Sequence, residues 1–160
     1  MNIIKIIGNN YLGYFEHIRY ASRAVIIKDQ TILLSYEKGK DLWMLPGGGM
    51  EDDEVASDTA IREVREETGH IIKPSEIVVE VDECYEDYKY VTYYFFGEVV
   101  GKTNTSLTEG EKIEGLEPRW ITLEEALEIF SKYNEYPKED WVHRGIYLRE
   151  YKALLEMLSR

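Results

Sequence analysis

A segment in the middle of the chain carries apolar residues at helical spacing. The residues that fall on one face of this predicted helix are Ala56, Ala60, Ile61 and Val64. Repetition at intervals of three and four residues predicts a helix that buries one face against a core. Asp53 is the predicted N-cap, because its carboxylate can accept a hydrogen bond from a first-turn amide, and Gly69 is predicted to end the helix.

Short runs of β-branched and aromatic residues predict the strands. They cover residues 3–7, 11–18, 20–28, 31–36, 43–45, 76–85, 89–100 and 118–121. The two runs that flank Asp29-Gln30 predict a hairpin or two adjacent strands, and Glu86-Asp87-Tyr88 predicts a second hairpin. The glycines after Pro46 predict a turn, and the polar residues 101–114 predict a loop.

Two more amphipathic segments predict helices towards the C-terminus. Thr122 and Glu125 form a capping-box pattern, and apolar spacing continues that helix to Phe130. Residues 140–158 carry an apolar stripe that either packs on the domain or forms a homodimer surface. Strands mixed with three helices predict an α+β fold, with helices around a mixed sheet, as one domain over residues 1–160.

Composition and charge narrow the classes of function. The chain has 160 residues, of which 44% are hydrophobic and 31% charged, with a formal net charge of −12. Such a balance predicts a soluble globular protein and argues against a broad nucleic-acid surface, which needs clustered Lys and Arg. RNA decapping is disfavoured for the same reason. A small nucleotide substrate stays open, because Mg²⁺ can bridge acidic side chains to phosphates.

Cysteine usage and hydropathy indicate the cellular compartment in which we expect the protein. Cys84 is the only cysteine, so no intramolecular disulfide can form, which favours a reducing cytoplasm. The apolar run at the N-terminus is too short for a signal peptide, and no segment is long enough to cross a bilayer. We therefore expect a cytoplasmic protein with no membrane partner.

The predicted central helix carries three carboxylates on one face. Glu63, Glu66 and Glu67 stand at positions i, i+3 and i+4, where like charges repel by roughly 0.2–0.5 kcal/mol per pair. Clustered oxygen ligands fit Mg²⁺ or Mn²⁺, and the glycines before the helix allow a backbone carbonyl of Gly47 or Gly48 to join them. The alternative is an ordinary solvated acidic face.

The spacing of these residues resembles the signature box of the Nudix hydrolases. The fixed positions of the box are Gly48, Glu54, Arg62, Glu63, Glu66, Glu67 and Gly69, with Val64 at its aliphatic position. Seven identities match by chance in such a chain with a probability on the order of 10⁻⁶ or below. One position departs, since His70 follows the last glycine where the family has an aliphatic residue. The resemblance implies an α/β/α sandwich over about residues 20–130.

The resemblance also implies a chemistry, which is hydrolysis of a nucleoside diphosphate linked to another group. Glu63, Glu66 and Glu67 would hold the metal, Glu66 or Glu114 would act as general base, and Arg62 would orient the glutamates. A nucleoside triphosphate is the favoured substrate, because the segment around Glu114 resembles that of the mutator-type enzymes. ADP-ribose or a nucleotide sugar is the alternative, and a non-catalytic nucleotide sensor is a third possibility.

Several further residues are candidates for the site, and each also has a simpler structural interpretation. Glu111 and Glu109 can replace Glu114 as the loop acid, or all three belong to a solvated loop. Substrate contacts are predicted for Arg23 and Lys38, which otherwise are surface charges. The aromatic residues near the expected cleft are Tyr36, Trp43, Tyr85, Tyr88 and Tyr93. Tyr36 and Trp43 are the ones predicted to contact substrate, although aromatic residues at strand spacing commonly pack in the core.

Overall fold

The computed structural model describes all residues from Met1 to Arg160. The strands are β1 (Asn2–Ile7), β2 (His17–Val25), β3 (Ile27–Lys28), β4 (Thr31–Glu37), β5 (Leu42–Met44), β6 (Gly47–Gly49), β7 (His70–Tyr85), β8 (Tyr88–Lys102) and β9 (Leu116–Thr122). The α-helices are α1 (Ala56–Thr68), α2 (Glu109–Ile113), α3 (Leu123–Ser131) and α4 (Ile146–Leu158).

The strands form two sheets. The larger has the order β1-β7-β8-β2-β6 and is mixed, because β1 runs parallel to β7 and β2 parallel to β8. Its other pairs, β7–β8 and β2–β6, are antiparallel. In the smaller sheet β9 pairs along the whole of β4, and β3 and β5 share the opposite edge of β4.

Helices cover both faces of these sheets. On one face Val64 of α1 joins a cluster of buried residues with Leu33 of β4. On the other face α3 and α4 close a larger cluster of 15 buried residues, which includes Ile32 and Leu34. Successive residues of β4 therefore point to opposite layers, as the pleat of a strand requires. The predicted fold, an α+β sandwich with a mixed sheet between helices, is confirmed.

One predicted strand and one predicted turn differ from the structure, and β7 begins at His70 where the prediction began at residue 76. Residues 11–16 form a loop, and β2 begins only at His17, because the loop bonds to the β7–β8 turn: the Leu12 amide donates to the Glu86 carbonyl. The predicted turn of glycines is instead β6, which pairs with β2. The hairpin around Asp29-Gln30 is confirmed, and both residues adopt positive φ, 51° and 65°.

The start of α1 also differs from the prediction. Val55 occupies the N-cap position without a side-chain hydrogen bond, and Asp53 lies in the preceding turn with φ of 63°. Thr59 donates a hydrogen bond of 2.7 Å to the Glu54 carboxylate. Glu54, and not Asp53, is therefore the acid that bonds to the first turn of α1. Gly69 ends the helix in the left-handed region, as predicted.

The predicted loop 101–114 contains one turn of helix. The Thr108 hydroxyl accepts a hydrogen bond from the Glu111 amide, and the Glu111 carboxylate accepts one from the Thr108 amide. This capping box forms α2, a T-x-x-E pattern that the sequence contains. The capping box of Thr122 and Glu125 is confirmed.

The predicted C-terminal helix is α4, and a turn of π-helix, Trp141–Gly145, leads into it. Its buried stripe packs on the sheet and on α3. None of the helices has the length and the hydropathy needed to cross a membrane.

Candidate active site

The three predicted metal ligands lie along α1 and differ in exposure. The side chain of Glu66 is 32% exposed and that of Glu63 is 16% exposed, whereas Glu67 is 6% exposed. Their spacing places them on adjacent turns of one helix. The carboxylates therefore run from the surface into the interior, unlike a solvated helix face.

β6 brings glycine backbone against these carboxylates. Gly47 and Gly48 pair with Arg23 and Ser22 of β2. A Cβ on Gly48 would lie 2.6 Å from Oε2 of Glu63, and a Cβ on Gly47 would lie 2.1 Å from the carbonyl oxygen of Ser22. Neither position has room for a side chain, so the backbone of β6 directly adjoins the acids of α1.

Arg62 donates hydrogen bonds both to acids of the box and to the glycine strand β6. Its Nε and Nη2 donate to the two carboxylate oxygens of Glu54 at 2.7 and 2.9 Å, and Nη2 also donates to the Gly49 carbonyl at 2.9 Å. Its Nη1 donates to Glu63 at 2.8 Å and to Glu66 at 3.3 Å. The hydrogen bonds from Arg62 lower the pKa of Glu54 to about 2, and the same bonds raise the pKa of Arg62. These contacts suit a positioning role for Arg62.

Glu67 is the deepest of the acids and has only neutral hydrogen-bond donors. Its Oε1 accepts from the Ser35 hydroxyl at 2.9 Å and, at 3.5 Å, from the Gly47 amide. Burial raises the pKa of Glu67 to about 8, although the positive charge of Arg23 opposes this. Burial also raises the pKa of Glu63. Carboxylates whose pKa burial raises gain from a hard divalent cation such as Mg²⁺ or Mn²⁺, which stabilises their charged form.

The loop after β8 reaches the same end of α1. The Ser106 amide donates to the Glu66 carbonyl at 2.7 Å, which fixes the loop beside the acids. The negative charge of Glu111 contributes to the raised pKa of both Glu63 and Glu67. The Glu114 carboxylate instead lies beside Gly39, where an added Cβ would be 2.6 Å from its Oε2. Of the predicted loop acids, Glu111 is therefore the one whose negative charge acts on both Glu63 and Glu67.

The predicted substrate contacts fall in two places. Tyr36 and Trp43 form an aromatic pair with centroids 4.2 Å apart, and the Arg119 guanidinium lies 4.9 Å from the Tyr36 ring. Lys38 forms an ion pair with Glu117 at 3.1 Å on the adjoining strand. Arg23 is on β2 of the larger sheet, paired with Gly47, and its Nη1 donates to the Leu45 carbonyl at 2.7 Å.

A buried ionic network on the α4 side was missed by the sequence patterns. The fully buried Glu150 accepts hydrogen bonds from the Tyr94 hydroxyl at 2.5 Å, the Leu45 amide at 2.7 Å and Arg149 Nε at 3.0 Å. Arg149 also lies 3.9 Å from the Glu83 carboxylate. A sequence signal existed, because Glu150 interrupts the apolar stripe of α4 at a buried position.

A second group of possible metal ligands lies at the surface. Ligand atoms of Glu16, His17 and Asp87 all lie within 4.8 Å of one another. Glu16 and His17 are exposed, and the His17–Asp87 pair at 3.5 Å accounts for much of their proximity. Glu63, Glu66 and Glu67 differ from this group in that Glu67 is buried and two of them are held by Arg62.

Comparison with known families agrees with this geometry. The NUDIX domain profile matches residues 17–144. The chain belongs to the Nudix family. A mouse protein named diphosphoinositol polyphosphate phosphohydrolase 3-alpha is 33% identical over 105 residues, which cover 64% of this chain and 60% of that protein. A Bacillus subtilis (strain 168) protein, provisionally named an ADP-ribose pyrophosphatase, is 27% identical over 95 residues, covering 59% of this chain and 44% of that protein.

Solved structures show the same Nudix fold. A Nudix hydrolase from Nitrosomonas europaea superposes with a TM-score of 0.59 at 24% identity, covering 84% of this chain and 88% of that one. The predicted family and enzyme class are confirmed in that the chain carries the domain of Nudix hydrolases. The match spans less than two thirds of the length of the two curated relatives. The substrate, the metal and the partners of this chain are therefore proposals.

Proposed function

We propose that this protein is a divalent-metal-dependent hydrolase that cleaves a phosphoanhydride bond in a nucleoside diphosphate linked to another group. A nucleoside triphosphate is the favoured substrate. The observation that carries the proposal is that the Glu63 carboxylate lies against Gly48 and the buried Glu67 carboxylate accepts from the Gly47 amide, so both acids adjoin the backbone of β6. A substrate diphosphate is itself negative, so it approaches these acids only together with a cation.

The proposed roles follow from the contacts. Glu63, Glu66 and Glu67 would hold Mg²⁺ or Mn²⁺ together with a carbonyl of Gly47 or Gly48. The bound ion neutralises the phosphates and lowers the pKa of a coordinated water. Arg62 keeps two of the acids in position through its Nη1, as a planar and permanently charged fork can.

The general base is proposed among the acids that have a free oxygen. Glu66 is the most exposed of the three on α1 and keeps one carboxylate oxygen without a protein partner, since only Oε2 contacts Arg62. Glu111 uses Oε1 in its capping box, which leaves Oε2 free. Either carboxylate can accept a proton from an attacking water. Glu114, the loop acid predicted first, ranks below Glu111 because it lies beside Gly39.

Two alternatives have support of their own. The relative from Bacillus subtilis favours ADP-ribose, and nucleotide sugars share the same diphosphate chemistry. A nucleotide sensor without turnover needs the same fold but no general base. The three acids proposed to hold the metal, Glu63, Glu66 and Glu67, all lie on α1, which favours the enzyme.

The test is a panel of substrates with the purified chain. Release of phosphate or pyrophosphate is measured for nucleoside triphosphates, oxidised triphosphates, ADP-ribose, dinucleoside polyphosphates and nucleotide sugars, with Mg²⁺ and then Mn²⁺. We expect turnover that requires the cation and prefers nucleoside triphosphates. Absence of turnover for every compound, with nucleotide binding still seen as a thermal shift, would replace the proposal with the sensor. Cytoplasmic location and a homodimer also stay predictions.

A further inference from the structure

A pocket of about 390 Å³ lies where the β3–β4 hairpin meets the start of β7 and the end of β8. Trp120 of β9 completes its wall. The volume falls in the range of about 300–1,000 Å³ that small-molecule sites occupy, so the pocket suits a small organic molecule. The lining residues used below are Lys28, Asp29, His70, Lys102 and Trp120.

The pocket is separate from the acids of α1. Thr31 lines it, whereas Ser35, four residues further along β4, donates to Glu67. Four residues of a strand span roughly 13 Å. The lining includes neither Glu63 nor Glu66. A molecule in this pocket would therefore leave the proposed metal ligands free.

The pocket carries positive charge, although the formal net charge of the chain is −12. Two lysines, Lys28 and Lys102, line it together with one carboxylate, Asp29. The lysines that form ion pairs with carboxylates are Lys38, Lys40, Lys89, Lys112 and Lys132. Lys28 and Lys102 are not among them. Two unpaired ammonium groups at one pocket favour an anionic ligand such as a phosphate.

Trp120 supplies a flat aromatic surface at the same pocket. It is 38% exposed, and its ring meets that of His70 at 78° with centroids 5.8 Å apart. In such an edge-to-face pair, the imidazole leaves at least one face of the indole uncovered. Nucleobases stack on exposed aromatic faces of this kind. The pocket thus combines a surface for a base with charges for a phosphate.

His70 adds a hydrogen-bond acceptor at the position where the chain departs from the Nudix box. It lies directly opposite Lys102 across β7 and β8. Burial, with a contribution from the positive charge of Lys102, lowers the pKa of His70, so the imidazole is neutral at neutral pH. Its Nδ1 lies 3.1 Å from the Thr68 carbonyl oxygen and therefore carries the proton. Nε2 can then accept a hydrogen bond from an amino or hydroxyl group of a ligand.

Asp29 accounts for the third part of a nucleotide. It lies in the turn of the β3–β4 hairpin, where its φ is 51°. A carboxylate only accepts hydrogen bonds, so it suits the two adjacent hydroxyls of a ribose. The same carboxylate would repel a ligand that carries several phosphates. A single phosphate, a ribose and a base match the lining best.

We propose that this pocket binds a nucleoside monophosphate without a divalent cation. The base stacks on Trp120, the phosphate lies between Lys28 and Lys102, and the ribose hydroxyls donate to Asp29. The acids of α1, in contrast, can approach a phosphate only through a cation. The inference goes beyond the proposed hydrolysis and does not depend on it, because no acid of α1 takes part in this binding.

The experiment is equilibrium dialysis of AMP with the purified chain in EDTA. EDTA removes the cation on which phosphate binding at the acids of α1 depends. One variant combines Lys28→Gln with Lys102→Gln, and a second is Trp120→Ala. The third is Asp29→Asn, which keeps the turn because Asn tolerates positive φ. Adenosine, inorganic phosphate and the dideoxy analogue of AMP, which lacks both ribose hydroxyls, are the comparison ligands.

Three control variants match these changes. Lys152→Gln removes an exposed lysine on α4, and Trp141→Ala removes a tryptophan that is 49% exposed and lies outside the pocket. The double variant Glu63→Gln and Glu67→Gln tests whether AMP binds at the acids of α1 instead. Thermal unfolding of every variant checks the fold. If Trp120→Ala does not fold, the exposed lysine and aspartate variants decide.

We expect the double lysine variant to raise the Kd of AMP at least about ten-fold, because two charge-assisted contacts are lost. Trp120→Ala should raise it by about ten-fold, the effect of losing one base stack. Asp29→Asn should reduce the preference for AMP over its dideoxy analogue. Adenosine should bind more weakly than AMP and should not respond to the lysine substitutions. The three control variants should bind AMP as the native chain does.

Several results would overturn this site. One is absence of AMP binding to the native chain, and another is an equal Kd for the native chain and the double lysine variant. Loss of binding in the Glu63 and Glu67 variant would place the nucleotide at the acids of α1. Inorganic phosphate that binds as tightly as AMP would contradict the role of Trp120. None of these measurements involves turnover, so failure of the proposed hydrolase is a separate result.

Discussion

Two glutamates of the candidate site show how environment divides one residue type into two roles. Glu54 faces the fork of Arg62, which lowers its pKa to about 2, so it is a permanent anion that braces the start of α1. Glu67 is buried among neutral donors, and burial raises its pKa to about 8. Glu54 is thus satisfied by the protein itself, whereas Glu67 becomes a stable anion only beside a cation.

Glu67→Gln should lower Mg²⁺-dependent kcat at least about 100-fold, because a lost ligand removes several kcal/mol of charge stabilisation. The fold should remain, since the amide still accepts from Ser35. The measurement is steady-state kinetics together with thermal unfolding. Glu124→Gln is the control, as Glu124 is exposed in the first turn of α3. Native activity in the Glu67 variant would remove this residue from the site.

Glu111→Gln should lower kcat more than Glu114→Gln, by at least about ten-fold, within the usual range for a general base. Of these two loop acids, Glu111 is the one whose negative charge raises the pKa of Glu63 and of Glu67. Rates across pH 5 to 9 check this, since loss of a base changes the acidic limb and loss of packing does not. The reverse order of effects would return the role to Glu114, the acid chosen from the sequence.

At the scale of elements, the start of α1 depends on an ion pair. The pKa of Glu54 is lowered from its ordinary value to about 2, so its stabilising effect is complete above about pH 4.5 and disappears as the pH falls towards 2. Glu54→Gln should therefore lower the free energy of unfolding by at most about 3 kcal/mol at pH 7, and by much less near pH 2.5. Urea denaturation at both pH values measures the difference.

Glu51→Gln is the control for that experiment. Glu51 lies 3.6 Å from the same Arg62 but its side chain is 69% exposed. Exposed pairs contribute about 1 kcal/mol or less. A Glu54 variant that behaves like the Glu51 variant at pH 7 would show that the fork does not stabilise this end of the helix.

The attachment of α4 to the sheet depends on a buried hydroxyl. Tyr94→Phe removes the 2.5 Å hydrogen bond to Glu150 and leaves that carboxylate with less compensation. We expect a loss of about 1–3 kcal/mol in the free energy of unfolding. Tyr93→Phe, at the adjacent position on the opposite face of β8, should cost less than about 0.5 kcal/mol. Equal losses in urea denaturation would contradict the assignment.

Local signals predicted most elements, and tertiary contacts account for the errors. α1 and the Asp29-Gln30 hairpin follow from spacing and turn chemistry alone. Asp53 fails as N-cap because Glu54 has the arginine and threonine partners, and these lie on later turns of α1. The glycines pair as β6 because β2 offers them an edge, which no pattern within residues 47–49 reveals.

In the candidate site, too, some residues follow from local sequence and others depend on tertiary contacts. The spacing predicted that Glu63, Glu66 and Glu67 share one helix, and the structure places all three on α1, because a helix fixes where its own residues stand. The choice between Glu111 and Glu114 depends on how a loop returns to α1, and the sequence does not encode that path locally. The Arg149–Glu150 network joins β7, β8 and α4, so the sequence shows only one sign of it, Glu150 within the apolar stripe of α4, and its partners appear in the folded chain.

At the scale of the whole molecule, the excess negative charge should make the free energy of unfolding depend on bound metal. With a net charge of −12 and buried carboxylates, the chain should gain about 2.7 kcal/mol when free Mg²⁺ exceeds its Kd a hundred-fold. Thermal unfolding with Mg²⁺, and with NaCl at equal ionic strength, separates binding from screening. The double variant Glu63→Gln and Glu67→Gln should lose the difference. A shift that NaCl reproduces would argue against a specific site.

The parallel pairing of β1 with β7 and of β2 with β8 also determines when the chain can fold during its synthesis. Asn2 faces Val79 and His17 faces Tyr88, so these early strands wait for partners that lie more than 70 residues further along. At about 5–20 residues per second, a ribosome needs several seconds or more to supply them. During that time the first strands stand with open edges, and α4, which closes the ionic network, is made after every strand. Folding of this chain is therefore expected to be a late event in its translation.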